Sequence, residues 1–143
     1  MDTIGVKDIN RFKIKDDTDD TIYYGGFQQW YHRPWQRLSG CGPTVISGIM
    51  HYENQRTTTV PVITKPAFVQ WMEKTWRYVT PTIHGIPTTE MLAKKTKRFV
   101  KVLDLPLTVQ ALNIPAKKYP QPSFTAVIAE LQETLAADQP IAF

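Results

Sequence analysis

Apolar residues recur at helical spacing in four stretches of this chain. Cys41, Val45 and Ile49 repeat at i, i+4, i+8, with Ile46 and Met50 beside them. That predicts one apolar helical stripe, with Pro43 in the first turn, where a missing N–H costs nothing. Phe68, Trp71, Met72, Trp76 and Val79 predict a second core-facing helix, capped by Thr64, with Pro66 in its first turn and Pro81 ending it. Met91, Leu92 and Phe99 predict a third, capped by Thr88, with Glu90 complementing the helix dipole. Phe124, Val127, Ile128, Leu131 and Leu135 predict a fourth, capped by Ser123. Period-two patterns are shorter. Phe12 and Ile14 alternate with Lys13 and Lys15, residues 107–114 alternate ahead of Pro115, and Ile141-Ala142-Phe143 starts a buried strand. Residues 57–62 read as an extended connection, and residues 83–87 and 117–121 as loops. The class that follows is α+β, mainly helical.

Residues 1–26 read as a lead-in and 27–143 as the domain proper. Asp16-Asp17-Thr18-Asp19-Asp20 invites a calcium site, but the glycine and terminal glutamate of an EF-hand loop are absent, so a solvated loop is expected. Gly25-Gly26 closes the lead-in as a turn. At 143 residues and 42% apolar, the chain suits one domain with a real core. Net charge is +4, compatible with an acidic partner without demanding one. A single cysteine excludes an internal disulfide framework, and no Cys/His cluster offers a metal site. No cofactor is expected. The start lacks a secretory h-region, and no apolar run reaches the roughly 18 residues of a membrane span. The expectation is a cytoplasmic protein without membrane contact.

The candidate chemistry lies at the start of the first helix. Cys41 stands between Gly40 and Gly42, which would let a substrate backbone approach the sulfur. A helix N-terminus offers a thiol unpaired N–H groups and the positive end of the dipole. The plainer reading is a small buried apolar residue. Upstream, Phe27, Trp30, Tyr31 and Trp35 are interleaved with glutamines and with Arg33 and Arg37. Such a set could stack nucleic-acid bases. Leading straight into the cysteine, it reads better as cleft wall or core. Lys94, Lys95, Lys97, Arg98 and Lys101 wrap several faces of the third helix, which marks a solvated surface more than a nucleic-acid patch.

The run Ser39-Gly40-Cys41-Gly42-Pro43-Thr44 with the following VISGIMHY resembles the nucleophile segment of papain-fold cysteine peptidases of the bacteriocin-processing (double-glycine leader) kind. Gln29-Trp30-Tyr31 and Trp35-Gln36-Arg37-Leu38 resemble the lead-in of stand-alone bacterial members. The resemblance runs from about Phe27 to the C-terminus. It implies the helical half of a papain-like fold, with Cys41 as nucleophile and a peptide or protein as substrate. It implies Gln29 as a donor to the oxyanion, with Gln36 as rival, and Trp30, Trp35, Gly40 and Gly42 along the substrate cleft. A histidine oriented by Asn or Asp should complete the site. His51 lies ten residues past Cys41, about 15 Å along a helix. His32 and His84 stand in the wrong chain order for the family. In the relatives a Q-P-[IV]-A-F motif continues into the strand half that carries the base, and here Gln139 to Phe143 end the chain on it. A fragment, a degenerate relative, and an enzyme completed by a second polypeptide all fit. A different class fits as well: a non-catalytic peptide- or partner-binding module using an aromatic cleft of Trp30, Tyr31 and Trp35.

Overall fold

The computed structural model describes residues 4–58 and 61–142. It is a mixed α+β arrangement of five α-helices, two short 3-10 helices and one small sheet among those residues. The α-helices are α1 (Pro34–Ser39), α2 (Cys41–Thr57), α3 (Lys65–Tyr78), α4 (Thr89–Val102) and α5 (Phe124–Ala136). The strands are β1 (Lys13–Lys15), β2 (Ile22–Tyr24) and β3 (Ile63–Thr64), in the order β2-β1-β3. β1 pairs antiparallel with β2, Ile14 opposite Tyr23, and parallel with β3, Ile14 opposite Ile63. The lead-in is therefore part of the domain: it supplies two strands, and Ile14 is fully buried.

Two apolar clusters form the core. Ile14, Tyr31, Phe68 and Met72 fill the space between the sheet, the aromatic lead-in and α3. Ile46, Met50, Val79, Phe99 and Val100 join α2, α3 and α4. Trp71 packs against both, and its indole N–H donates to the Ser47 carbonyl at 3.0 Å. Burying each large apolar side chain of this kind contributes about 1.5–3 kcal/mol.

Helix α2 starts at Cys41, the helix-start position that the sequence pattern gave this residue. Pro43 falls within the first four residues, whose N–H groups have no intrahelical acceptor. Its buried face is not the expected stripe. Ile46 and Met50 are buried, but Val45 and Cys41 are exposed and Ile49 is half-buried. Thr44, Ser47, His51 and Tyr52 face inward instead. Thr44 and Ser47 can do so because their hydroxyls donate back to the carbonyls of Gly40 and Pro43, leaving nothing polar unpaired.

Helices α3, α4 and α5 lie where the pattern put them. Thr88 and Ser123 accept from the N–H of Met91 and Ala126, as capping residues do. Thr64 caps α3 by position alone, without a side-chain bond. On α5 the apolar stripe is only half-buried, and Phe124 is 80% exposed. Residues 107–114 form no strand. Leu107 and Val109 turn inward between exposed neighbours, but Ala111 to Ile114 are all exposed, and no strand among the described residues lies alongside. Ile141 and Ala142 are half-buried and likewise not a strand; Phe143 falls outside the described residues, as do residues 59 and 60 of the expected connection.

The acidic loop departs from expectation at one residue. Asp17 to Asp20 are exposed, but Asp16 is buried. Its carboxylate accepts from Lys65 Nζ at 2.8 Å, and from the hydroxyl and N–H of Thr18. The Lys65 ammonium also lies over the rings of Trp30 and Tyr23, 5.3 and 5.7 Å from their centroids. The far end of the chain is tied down in a similar way. Asp138, in the left-handed region at φ 61°, is buried and accepts from Tyr52, Arg11 and the Lys7 N–H.

Candidate functional site

A short polar frame sets the position of Cys41. Gln28 and Gln29 both donate to the Arg37 carbonyl, at 2.7 and 3.3 Å. Arg37 in turn donates to the carbonyls of Tyr31 and His32. The aromatic lead-in is thus tied to α1, and α1 runs through Gly40 directly into α2. Cys41 is the first residue of that helix of 17 residues and is exposed. It makes no side-chain hydrogen bond among the described residues.

Both flanking glycines are explained by packing within the chain. A Cβ on Gly40 would collide with the Gln36 carbonyl oxygen and lie 2.8 Å from the Tyr31 ring. A Cβ on Gly42 would lie 2.7 Å from the end of Ile86. The space beside the two glycines is therefore taken by Tyr31, Gln36 and Ile86. Their expected role as room for a substrate backbone is not what the local contacts require.

The two candidate glutamines separate clearly. Gln36 is buried: its amide N–H₂ donates to Glu73 at 2.7 Å, and its oxygen accepts the Arg33 N–H at 3.2 Å. Both ends serve the fold. Gln29 is exposed and keeps one amide proton free beyond its bond to Arg37.

The three histidines lie apart. His51 is buried on α2, edge-on to Phe68 at 5.5 Å, and burial pushes its pKa down. Ten residues along a regular helix separate it from Cys41, about 15 Å. His32 is exposed beside α3. His84 is exposed at the tip of a tight turn in which Thr82 and Gly85 pair. Chain order gave no reason to place that turn near the cysteine, yet Ile86, two residues on, packs against Gly42.

The aromatic set does not form one cleft. Tyr31 is 1% exposed and belongs to the core, its hydroxyl donating to the Met72 carbonyl at 3.3 Å. Trp35 is exposed on α1. Trp30 is half-buried and lines a groove of about 700 Å³ along the outer face of α3, with Asp17, Lys65, Val69, Arg77 and Tyr78. Neither Cys41 nor Trp35 lines that groove. No local pattern marks it, because its walls come from the acidic turn, the lead-in and α3, which only the tertiary fold brings together.

Elsewhere the structure adds little chemistry. Lys94, Lys97, Arg98 and Lys101 are exposed and Lys95 is half-buried, without carboxylate partners among the described residues. No group of three or more potential metal ligands exists among the described residues, and none of their helices is long and apolar enough to cross a membrane. Comparison with family models, with curated proteins and with solved structures finds no match to this chain.

Proposed function

We propose that Cys41 is the nucleophile of a cysteine-peptidase type of site, in the papain-like arrangement that the Ser39–Thr44 run resembles. The observation that carries the reading is an exposed thiol on the first residue of a long helix. In this reading the Cys41 thiolate adds to a peptide carbonyl carbon. The resulting oxyanion meets the free N–H groups of the first turn of α2 and the spare amide proton of Gln29. The intermediate collapses to a thioester as the amine leaves with a proton from a general acid, and water then releases the acid. No side-chain hydrogen bond joins Cys41 to His32, His51 or His84 among the described residues, and in this reading the acid and its orienting Asn or Asp are supplied by a partner segment.

The test is the rate of Cys41 alkylation by iodoacetamide in the folded protein at neutral pH, with mass spectrometry as readout. The expected rate exceeds that of an unstructured cysteine peptide, while peptide hydrolysis is undetectable. Adding a polypeptide that carries the missing His and Asn or Asp restores hydrolysis, and Cys41→Ala removes it. A rate equal to or below the free peptide's overturns the nucleophile reading.

A second reading, a peptide-binding module without catalysis, is favoured by one observation. The large groove carries Trp30 but lies apart from Cys41. Peptide capture by a Cys41→Ala variant at wild-type affinity supports it; failure of any peptide to bind the folded protein removes it.

A further inference from the structure

The groove along α3 carries opposite charge at its two ends. At the N-terminal end of α3, Asp16 and Lys65 neutralise each other, and the exposed Asp17 remains as one negative charge. At the C-terminal end, Lys74 and Arg77 are exposed and have no carboxylate partner within ion-pair distance among the described residues. Glu73 beside them offsets one charge, and its carboxylate already accepts from Gln36. Between the ends the floor is apolar, from Trp30, Val69 and Tyr78. From Lys65 to Arg77 the helix rises about 18 Å. At about 3.3 Å per residue, an extended chain of about six residues spans that length. Thr18, Gln70 and Glu73 also line the groove. An extended chain keeps backbone N–H and C=O groups free to meet such side chains, whereas a helix has used its own internally.

We propose that this groove binds a free peptide of about six residues in extended form, its α-ammonium at Asp17 and its α-carboxylate at Lys74 and Arg77. The proposal rests on the peptide-binding reading of the groove and is independent of Cys41. A carboxylate held by two cations forms charge-assisted hydrogen bonds, whereas its amide forms only neutral ones. Apolar side chains at alternate positions cover Trp30 and Val69.

The probe is a hexapeptide of alternating alanine and leucine with free termini, titrated into the whole protein by calorimetry. The comparison ligands are the same peptide amidated at its C-terminus, acetylated at its N-terminus, or cut to three residues. Amidation is expected to weaken binding about tenfold, the worth of one charge-assisted interaction. Acetylation weakens it less, because Asp17 is solvated, and the tripeptide fails to bridge both ends. In Lys74→Glu/Arg77→Glu, two exposed positions, the preference reverses toward the amidated peptide while the melting temperature holds. Equal binding of free and capped peptides would leave the peptide-binding reading intact and overturn the assignment of the termini. No binding of any peptide would overturn both. Displacement of the peptide by a short single-stranded oligonucleotide that binds more tightly would assign the groove to nucleic acid instead.

Discussion

The phenol of Tyr52 donates to the buried carboxylate of Asp138, joining the middle of α2 to the turn after α5 across 86 positions of chain. Arg11 and the Lys7 N–H meet the same carboxylate, so the N-terminal segment, α2 and the end of α5 share one acceptor. This matters because α5 buries no residue fully and depends on that anchor at its C-terminal end. Tyr52→Phe removes one donor and leaves the ring against Phe12 at 4.6 Å. We expect a loss of about 1–2 kcal/mol, read as a fall of several degrees in melting temperature. Hydrogen exchange should speed up first in α5. If α5 amides exchange at the wild-type rate, the anchor does not hold the helix.

Two carboxylates should make the fold acid-sensitive. Asp16 is held well below the usual carboxylate range, first by the Lys65 hydrogen bond and then by those from Thr18. Asp138 is also held low: burial opposes its charge, but the bonds from Tyr52, Lys7 and Arg11 outweigh it. A depressed folded-state pKa means that the unfolded chain takes up the proton first. The stabilisation is therefore present above the unfolded value near 3.9 and is lost as pH falls through the folded value. Glu53, pushed up by burial, works in the opposite sense. The melting temperature should decline below about pH 4, and Asp16→Asn/Asp138→Asn should flatten that decline while lowering the plateau at neutral pH. Equal acid slopes for the variant and the wild type would place the sensitivity elsewhere.

The glycines beside Cys41 should differ in what they tolerate. At Gly40 a methyl meets the Gln36 carbonyl oxygen, part of the backbone and unable to yield. At Gly42 it meets the tip of Ile86, a flexible side chain. Gly40→Ala should cost about 1–3 kcal/mol, the usual range for overpacking. Gly42→Ala should cost less, and Ile86→Val should recover part of that loss. If Gly40→Ala melts like the wild type, the close approach at α1–α2 is softer than the geometry requires.

What the sequence disclosed follows from range. Helices α3, α4 and α5 were legible because cap, stripe and stop lie within one short window: Thr88, then Met91 and Leu92, then Phe99. The inward face of α2 was not, because Thr44 and Ser47 look polar until their bonds to Gly40 and Pro43 are seen. At residues 107–114 the alternation marks two inward-facing positions, Leu107 and Val109, without a strand partner. At the candidate site, Cys41 was legible as a helix-start residue. The buried role of Gln36 was not, since it depends on Glu73 on another helix. Trp30, Tyr31 and Trp35, neighbours in sequence, go to a groove wall, the core and the surface. Only tertiary contacts decide among those three.

His84 gives the sharpest test of whether a base lies within the described residues. Its turn is closed by Thr82 and Gly85, and Ile86 seats it against Gly42, next to Cys41. A general base, however, must be oriented by a second hydrogen bond and must reach its proton donor. The His84 imidazole is exposed and makes no side-chain hydrogen bond among the described residues; only the His84 backbone N–H is fixed, donating to the Thr82 hydroxyl. An imidazole so placed samples many orientations, and few of them could take a proton from the thiol. His84→Ala is therefore expected to change the rate of Cys41 alkylation at neutral pH less than about twofold. Ile86→Ala, which loosens the contact at Gly42, should alter that rate more. A fivefold or larger drop in His84→Ala, with the melting temperature unchanged, would show that the chain carries its own base and that the turn delivers it to Cys41.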